Sequence, residues 1–256
     1  MLLHSDSHSS LDHFTMDEHI SNWQGSPEER IIRELYRTSE GGVKAGTDSV
    51  DYGRILETLL KRELQKLATE MHNGDLRFAR GYLVEDYGSQ KFKGASAAHA
   101  SDVSTKESPR FDIIAYSGDV AWGSFDGLPH ALVPSSFARG IIEVKRTLSP
   151  GYLPPDSSRA MNLQFHRQRD YIKELAPDVP FILIGAHYSG NPEEIRRKAL
   201  ATHVALLGNL SGAGSARKMA QPGELTNVIK ILSGESPYDD ERGNQLQAIA
   251  KRMLEE

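Results

Sequence analysis

The sequence predicts an α/β protein in which helices pack against a central mixed sheet. The predicted elements follow the order helix, strand, strand, strand, helix, strand, helix, and a helix between the last two strands suits a crossover connection. The chain has 256 residues, which is enough to form a hydrophobic core without covalent cross-links. It has no Cys, which excludes a disulfide-built fold, thiolate zinc sites and iron-sulfur clusters.

The chain is expected to divide into a flexible N-terminal arm, 1–24, and one domain, 25–256, that includes the C-terminal helices. The arm is rich in His, Ser and Asp and has few apolar residues to bury. No apolar run approaches the roughly 20 residues of a membrane helix, and the first residues lack the pattern of a secretory signal. We therefore expect a cytoplasmic protein that does not contact a membrane.

Two helices are expected before the first strand. Pro27 and the two acidic residues after it are typical of a first helical turn, and this helix is predicted to run over 27–37. In the second helix, apolar residues recur at helical spacing over 55–67. Glu57 lies within that apolar stripe, where an ordinary surface charge would not be placed.

The remaining elements follow from apolar runs and from the Gly and Pro residues between them. Strands are predicted at 76–84, 111–116, 140–147 and 181–186. Helices are predicted at 158–175 and 191–207, with one or two more after a loop at 208–215. Loops are predicted at 88–108 and at 118–134, the latter with a short extended piece near Leu132.

The triplet Glu143-Val144-Lys145 lies in an otherwise apolar predicted strand. Side chains alternate along a strand, so Glu143 and Lys145 are expected on one face and Val144 on the other. With 19 Glu and 12 Lys in 256 residues, about one such triplet is expected by chance, and one is present. Its context is more informative, because charges on an apolar strand are unfavourable unless they are paired or bind a metal.

Asp112 is a second carboxylate inside an apolar strand. If this strand lies beside the strand of Glu143, the two carboxylates and Lys145 meet at one edge of the sheet. An oxygen-lined pocket of this kind suits Mg²⁺.

Together these residues resemble the PD-(D/E)XK nuclease superfamily. Within it, the sequence is similar to a bacterial domain family of uncharacterised function. Three motifs carry the resemblance: Gly53-x-x-x-Glu57, Phe111-Asp112-Ile113-Ile114, and Glu143-Val144-Lys145 in the run 140–148. The resemblance covers about residues 50–190 and implies a restriction-endonuclease-like core of three layers, with a central mixed sheet flanked by helices.

The resemblance also implies a role for each residue. Asp112 and Glu143 would bind Mg²⁺ or Mn²⁺, and Glu57 would complete or buffer this set of metal ligands. Lys145 would position the attacking water or help to deprotonate it. Two departures from the family pattern stand out: Phe111 replaces a proline, and 30 residues separate Asp112 from Glu143, which requires a loop or an extra hairpin.

The helix after the Glu-x-Lys strand carries two possible auxiliary residues. Gln164, Gln168 and Tyr171 share one helical face. This arrangement is similar to the Gln and Tyr that follow the Glu-x-Lys strand in RecB-like nucleases, although the spacing is only approximate. A solvated helix face is the alternative interpretation.

The leading hypothesis is a Mg²⁺-dependent endonuclease that acts on nucleic acid, with DNA as the expected substrate. The resemblance implies a role in bacterial defence against foreign DNA, and it leaves open a homo-oligomer or a regulatory protein partner. One alternative is an inactive nuclease-fold module that binds nucleic acid or a protein. Another is a protein in which Glu143 and Lys145 form a buried ion pair. The net charge of −5 argues against general coating of nucleic acid, whereas the basic stretch 139–173 allows a local contact.

Overall fold

The computed structural model describes residues 25–40, 49–85, 108–125, 128–153, 160–210 and 220–235. The helices are α1 (Pro27–Glu40), α2 (Ser49–Glu70), α3 (Ala160–Leu175), α4 (Pro192–Lys198) and α5 (Glu224–Leu232). The predicted arm at 1–24 and any helix beyond residue 235 lie outside the described residues. Within the described ranges, no helix combines the length and the apolar character needed to cross a membrane.

Seven strands form one mixed sheet in the order β3-β4-β1-β2-β5-β6-β7. The strands are β1 (Arg77–Val84), β2 (Arg110–Tyr116), β3 (Ala121–Phe125), β4 (Leu128–Pro134), β5 (Ala138–Leu148), β6 (Phe181–Tyr188) and β7 (His203–Leu206). The β1–β2, β2–β5 and β3–β4 pairs are antiparallel. The β1–β4, β5–β6 and β6–β7 pairs are parallel, and α3 forms the crossover between β5 and β6.

Helices cover both faces of the sheet, so the molecule has three layers. On one face, side chains such as Ile31 of α1, Leu56 of α2 and Leu225 of α5 pack against the strands. On the other face, Phe165 of α3 and Ile195 of α4 complete a second apolar cluster. The predicted α/β class, with a central mixed sheet flanked by helices in three layers, is confirmed.

The strands that carry Asp112 and Glu143 are neighbours, as the sequence predicted. β2 and β5 pair in antiparallel register from Ile113 with Ile142 to Tyr116 with Ala138. The ladder joins the strands directly despite the 21 residues between them, because the intervening chain folds as a separate piece.

That intervening piece corrects the predicted loop at 118–134. The structure has two antiparallel strands there, β3 and β4, with Phe125 paired to Leu128. β4 also pairs in parallel with β1, from Gly81 with Ala131 to Val84 with Pro134. Pairing with a strand distant in the sequence stabilises these short segments, and local patterns do not reveal it. They form the extra hairpin that the long Asp112–Glu143 separation required.

The predicted helix at 191–207 is also wrong in its second half. Helix α4 ends at Lys198, and β7 begins at His203. The apolar run that ends this segment is buried by parallel pairing with β6, where Ile182 pairs with His203. Thr202 starts this pairing, because its backbone N–H donates to the carbonyl of Phe181 at 2.7 Å. A short apolar run fits a buried strand or a buried helix equally well by periodicity.

The β1–β4 pairing depends on a glycine. A Cβ atom added at Gly81 would overlap the backbone carbonyl group of Ala131. The neighbouring group is backbone in a paired strand and cannot rotate away. Only glycine therefore allows the two strands to approach at this position.

We expect Gly81→Ala to lower the free energy of unfolding by about 1–3 kcal/mol, the usual range for overpacking a well-packed region. Gly53→Ala is the matched control, because no atom lies within 4 Å of a Cβ added at that position in α2. The control should raise stability by up to about 1 kcal/mol, since glycine is unfavourable inside a helix. Chemical denaturation of the three proteins measures both effects, and equal stabilities would contradict the close-approach argument.

Candidate active site

The candidate site begins where β2 and β5 separate. The last ladder pair of the two strands is Ile113 with Ile142. Beyond it, the Val144 backbone N–H donates to Oδ2 of Asp112 at 2.9 Å. The Asp112 carboxylate thus supplies the acceptor for a backbone N–H beyond the end of the ladder, and it lies next to Glu143.

The placement of Asp112 coincides with a change of register on the other side of β2. Ala79 of β1 pairs with Ile114, whereas Gly81 pairs with Phe111. One residue of β1, Arg80, therefore lies opposite two residues of β2, Asp112 and the residue after it. An extra residue of this kind bends a strand and redirects its side chains, and such irregularities are frequent next to active sites.

Glu143 is the most buried acid of the site, with 1% of the residue exposed. Its Oε1 forms an ion pair with the Lys145 ammonium group, and its Oε2 accepts a hydrogen bond from Gln168 Nε2 at 2.8 Å. Burial raises the pKa of Glu143, and the charge of Asp112 raises it further, whereas Lys145 opposes both effects. Glu143 and Lys145 therefore lie on the same face of β5, as expected, and contact each other directly.

Gln168 joins the two separated strands from the helix side. The residue is fully buried. In addition to its bond to Glu143, its amide group lies 3.4 Å from the carbonyl oxygen of Arg110. Its Oε1 has no hydrogen-bond partner among the described residues. The side chain fills the gap between the strands and leaves one acceptor available inside the site.

The other polar residues of this helical face are also directed at the sheet. Gln164 Nε2 lies 3.5 Å from Oε1 of Glu143, the outer limit of a hydrogen bond. The Tyr171 hydroxyl group donates to the Leu83 carbonyl oxygen at 3.0 Å. These contacts favour a structural link between α3 and the acidic site over a purely solvated face.

Lys145 is held between the acid and an aromatic ring. Its ammonium nitrogen lies 5.4 Å from the centroid of the Phe165 ring, within the range of a cation–π interaction. The Lys145 side chain is 17% exposed. The ammonium group therefore faces a small opening next to Glu143.

Glu57 lies on α2 and is directed toward the same region, with 15% of its side chain exposed. Its carboxylate lies 3.5 Å from the guanidinium group of Arg80. Burial raises the pKa of Glu57 to about 7, with a further contribution from the Asp112 charge, while Arg80, Arg110 and Arg54 oppose the shift. The Asp112 charge thus acts on both other acids, Glu57 on one side and Glu143 on the other.

The three acids do not form a three-ligand metal cluster. Within the described ranges, no group of three or more His, Asp or Glu residues is close enough to hold a metal ion together. The Glu57 carboxylate lies 3.5 Å from the Arg80 guanidinium group. The metal set of Asp112, Glu143 and Glu57 stays a prediction from the sequence.

Two carboxylates still fit a divalent ion. Mg²⁺ in proteins is commonly bound by one or two carboxylates, with water and substrate phosphate completing the octahedron. Burial and the charge of Asp112 raise the pKa of Glu143, so a positive ion beside the two carboxylates would stabilise their charged forms. The unpaired Oε1 of Gln168 adds a neutral oxygen nearby. These oxygen atoms are ligands of the type that a hard cation such as Mg²⁺ prefers.

Sequence reasoning missed Arg80, which contacts Glu57 and lies opposite Asp112. The signal was present, since Arg80 is the only charge between the ends of the apolar strand 77–84. Asp112 was found by that same criterion. Arg80 is a base in the same kind of position that made Asp112 recognisable as an acid.

Comparisons with known proteins add only distant similarities. No protein-family model matches the sequence, and no curated protein matches it. Among solved structures, the chain is similar to the cAAA-bound form of NucC from P. aeruginosa ATCC27853, with a TM-score of 0.46, 10% identity, and coverage of 95% of this chain and 99% of that chain. It is also similar to the cAAA-bound form of NucC from E. coli MS115-1, with a TM-score of 0.43, 11% identity, and coverage of 82% and 75%.

The pKa of Glu57 leads to a prediction about stability and pH. The pKa of Glu57 is about 7 in the folded protein, against an ordinary value of 4.5, so the folded state holds the proton more tightly than the unfolded state does. In the absence of divalent ions, the Glu57 contribution should reduce stability as pH rises from about 4.5 to 7 and should be constant above that range.

We therefore expect Glu57→Gln to melt like the wild type near pH 4.5 and at a higher temperature above pH 7. Glu70→Gln is the control, because Glu70 lies on the same helix with a side chain that is 55% exposed. Melting curves in EDTA across this pH range provide the measurement. A constant difference between Glu57→Gln and the wild type at all pH values would show that the pKa of Glu57 is not raised.

Proposed function

We propose that this protein is a metal-dependent nuclease that hydrolyses phosphodiester bonds, with DNA as its substrate. The observation that carries the proposal is the junction of β2 and β5. There Asp112 binds the backbone N–H of Val144, and Glu143 contacts Lys145. Two acids and a lysine on adjacent strands, at the point where the strands separate, form a compact site for phosphate chemistry.

Asp112 and Glu143 are the residues proposed to hold Mg²⁺ or Mn²⁺. A divalent ion bound there supplies Lewis-acid stabilisation of charge on the scissile phosphate and lowers the pKa of water. Glu57 is proposed to adjust the charge of the site rather than to bind the ion directly. Its pKa of about 7 allows it to gain or lose a proton near neutral pH.

Lys145 and the two glutamines are proposed to organise the remaining steps. Lys145 is the only ammonium group in contact with Glu143 among the described residues, and it is placed to orient the attacking water or stabilise phosphate charge. Gln168 keeps the Glu143 carboxylate oriented through a 2.8 Å hydrogen bond. Gln164, at the exposed end of the same helical face, is proposed to assist.

The second candidate function is a nuclease-fold module that binds without cutting. One observation favours it: both oxygens of Glu143 already have partners, Lys145 on one side and Gln168 on the other. An ion that binds Glu143 must share an oxygen with Lys145 or displace it. If Lys145 and Glu143 are only a structural ion pair, neither metal binding nor cleavage will be detected.

The deciding experiment incubates the purified protein with supercoiled DNA, linear DNA and RNA, with Mg²⁺, with Mn²⁺ and with EDTA. Cleavage that requires the metal supports the nuclease, and its substrate preference tests the choice of DNA. Binding without cleavage in every condition supports the inactive module. A defence role, a homo-oligomer, a regulatory partner and cytoplasmic location remain predictions from the sequence.

Asp112→Asn should abolish metal-dependent cleavage while the protein remains folded. The asparagine side-chain oxygen can still accept the hydrogen bond from Val144, so only the charge is lost. Removing that charge also relieves its repulsion with Glu143 and Glu57, so the melting temperature in EDTA should be unchanged or higher. Early melting of the variant in EDTA would instead indicate that the Asp112 charge is structural.

Added Mg²⁺ provides a test that does not depend on activity. It should raise the melting temperature of the wild type above pH 7 and should have little effect on Asp112→Asn. NaCl at equal ionic strength controls for general screening by salt. Equal Mg²⁺ effects on both proteins would place any bound ion elsewhere.

Lys145→Arg and Lys145→Met should lower the cleavage rate by a factor on the order of 10²–10⁴, the usual scale for one acid-base group. Arginine keeps the positive charge, but its planar guanidinium group cannot take the compact position of the ammonium group against Glu143 and Phe165. Single-turnover cleavage under metal saturation provides the measurement. A wild-type rate for Lys145→Arg would remove Lys145 from the mechanism.

A further inference from the structure

Three arginines surround Glu57, and they come from three different elements. They are Arg54 of α2, Arg80 of β1 and Arg110 of β2, and the charges of all three lower the pKa of Glu57 against the effects of burial and Asp112. Arg80 is largely buried, with 16% of its side chain exposed, and contacts the carboxylate at 3.5 Å. Arg54 and Arg110 are exposed. Of the three arginines, only Arg80 therefore forms an ion pair with Glu57.

The positions of the two exposed arginines place them at the rim of the site. Arg54 precedes Glu57 by three residues on α2, so the two residues share a helical face. Arg110 is the first residue of β2, where it pairs with Tyr82 at the end of the β1–β2 ladder. It precedes Asp112 by two residues. One arginine thus flanks the site from the helix and the other from the strand.

The two exposed guanidinium groups have no counter-charge of their own in the described part of the chain. Neither Arg54 nor Arg110 forms an ion pair there, unlike Arg80. Arg80 is the arginine in contact with the Glu57 carboxylate. The two exposed guanidinium groups therefore place positive charge at the rim, beside the acidic centre.

We propose that Arg54 and Arg110 form a binding site for a backbone phosphate of the nucleic acid, adjacent to the scissile bond. The position of this phosphate beside a bond that is cut rests on the proposed nuclease function, whereas binding of the phosphate does not. A guanidinium group matches a phosphate through two parallel hydrogen bonds. Such contacts hold the strand in register without reading its bases. Arg80 has a different role, since it anchors Glu57.

The site is tested by the salt dependence of DNA binding. Each phosphate contact releases counterions, so the association constant for DNA falls as salt rises. Loss of one contact should make the plot of log association constant against log salt concentration less steep, by about 0.9 in slope. Arg54→Gln and Arg110→Gln, both in the cleavage-deficient Asp112→Asn background, should each show this change and bind duplex DNA about tenfold more weakly at low salt. The Lys variants should keep the slope and lose part of the affinity, because they keep the charge but lose the planar fork.

Arg77→Gln is the matched control. Arg77 is also an exposed arginine at a strand end, but it lies at the opposite end of β1, where it pairs with Tyr116. Arg77 and Tyr82 are five positions apart along the strand, which is about 17 Å. Its substitution should leave the affinity and the salt slope unchanged. Equal losses for Arg77 and for the rim arginines would overturn the proposal, since they would indicate general electrostatic attraction.

Cleavage kinetics separate this inference from the proposed function. With Asp112 intact, Arg54→Gln and Arg110→Gln should raise the DNA concentration needed for half-maximal rate about tenfold and should change the saturated single-turnover rate by a smaller factor. Unchanged binding by both rim variants, in a protein that does cleave, overturns the phosphate site alone. If the wild type does not cleave DNA, the salt dependence of DNA binding in the Asp112→Asn background still tests the phosphate site.

Inorganic phosphate distinguishes a backbone site from a site for a small anion. Millimolar phosphate at constant ionic strength should neither stabilise the protein against heat nor displace DNA, because a single phosphate lacks the contacts of the rest of the strand. A melting temperature that rises with phosphate in the wild type and not in Arg54→Gln would assign the arginine pair to a small anion. That result would overturn the proposal.

Discussion

The hydrogen bond between the Asp112 carboxylate and the Val144 backbone N–H is the interaction on which the candidate site depends. Two neighbouring strands cannot separate inside a protein unless the N–H and carbonyl groups that lose their ladder partners find others. Asp112 provides one such partner at 2.9 Å. Gln168 provides a second, by approaching the carbonyl oxygen of Arg110. Side chains thus replace ladder bonds, and the strands diverge into a site without leaving these groups unpaired.

The same arrangement concentrates negative charge where water is scarce. Glu143 is almost completely buried, and Glu57 is largely so. The protein offsets this charge unevenly, since Lys145 contacts one acid and Arg80 the other, while the pKa values of both acids stay raised. Acids with perturbed pKa values are frequent at functional sites. The two apolar clusters on either side of the sheet hold the strands in place despite this repulsion.

Features that depend on local sequence patterns could be predicted, whereas features that depend on contacts between distant segments could not. Asp112 and Glu143 were recognisable because a lone charge in an apolar strand needs a reason, and their adjacency followed from the expected strand pairing. The short strands at 121–125 and 128–134 were not recognisable, because they exist through pairing with β1, which is distant in the sequence. The contact between Glu57 and Arg80 was not recognisable either, because it joins a helix to a strand that is distant from it in space until the sheet and α2 are packed together.

The inserted strands β3 and β4 also bear on how the chain reaches its native state. Their pairing joins residues that are close along the chain, as Phe125 with Leu128 shows, and closing so short a loop carries little entropic penalty. Every pairing that builds the acidic site joins distant segments, such as β1 with β2 and β2 with β5. Contacts between distant segments form slowly. The acids therefore meet only when most of the sheet is assembled, so a partly folded chain lacks the arrangement of Asp112, Glu143 and Lys145.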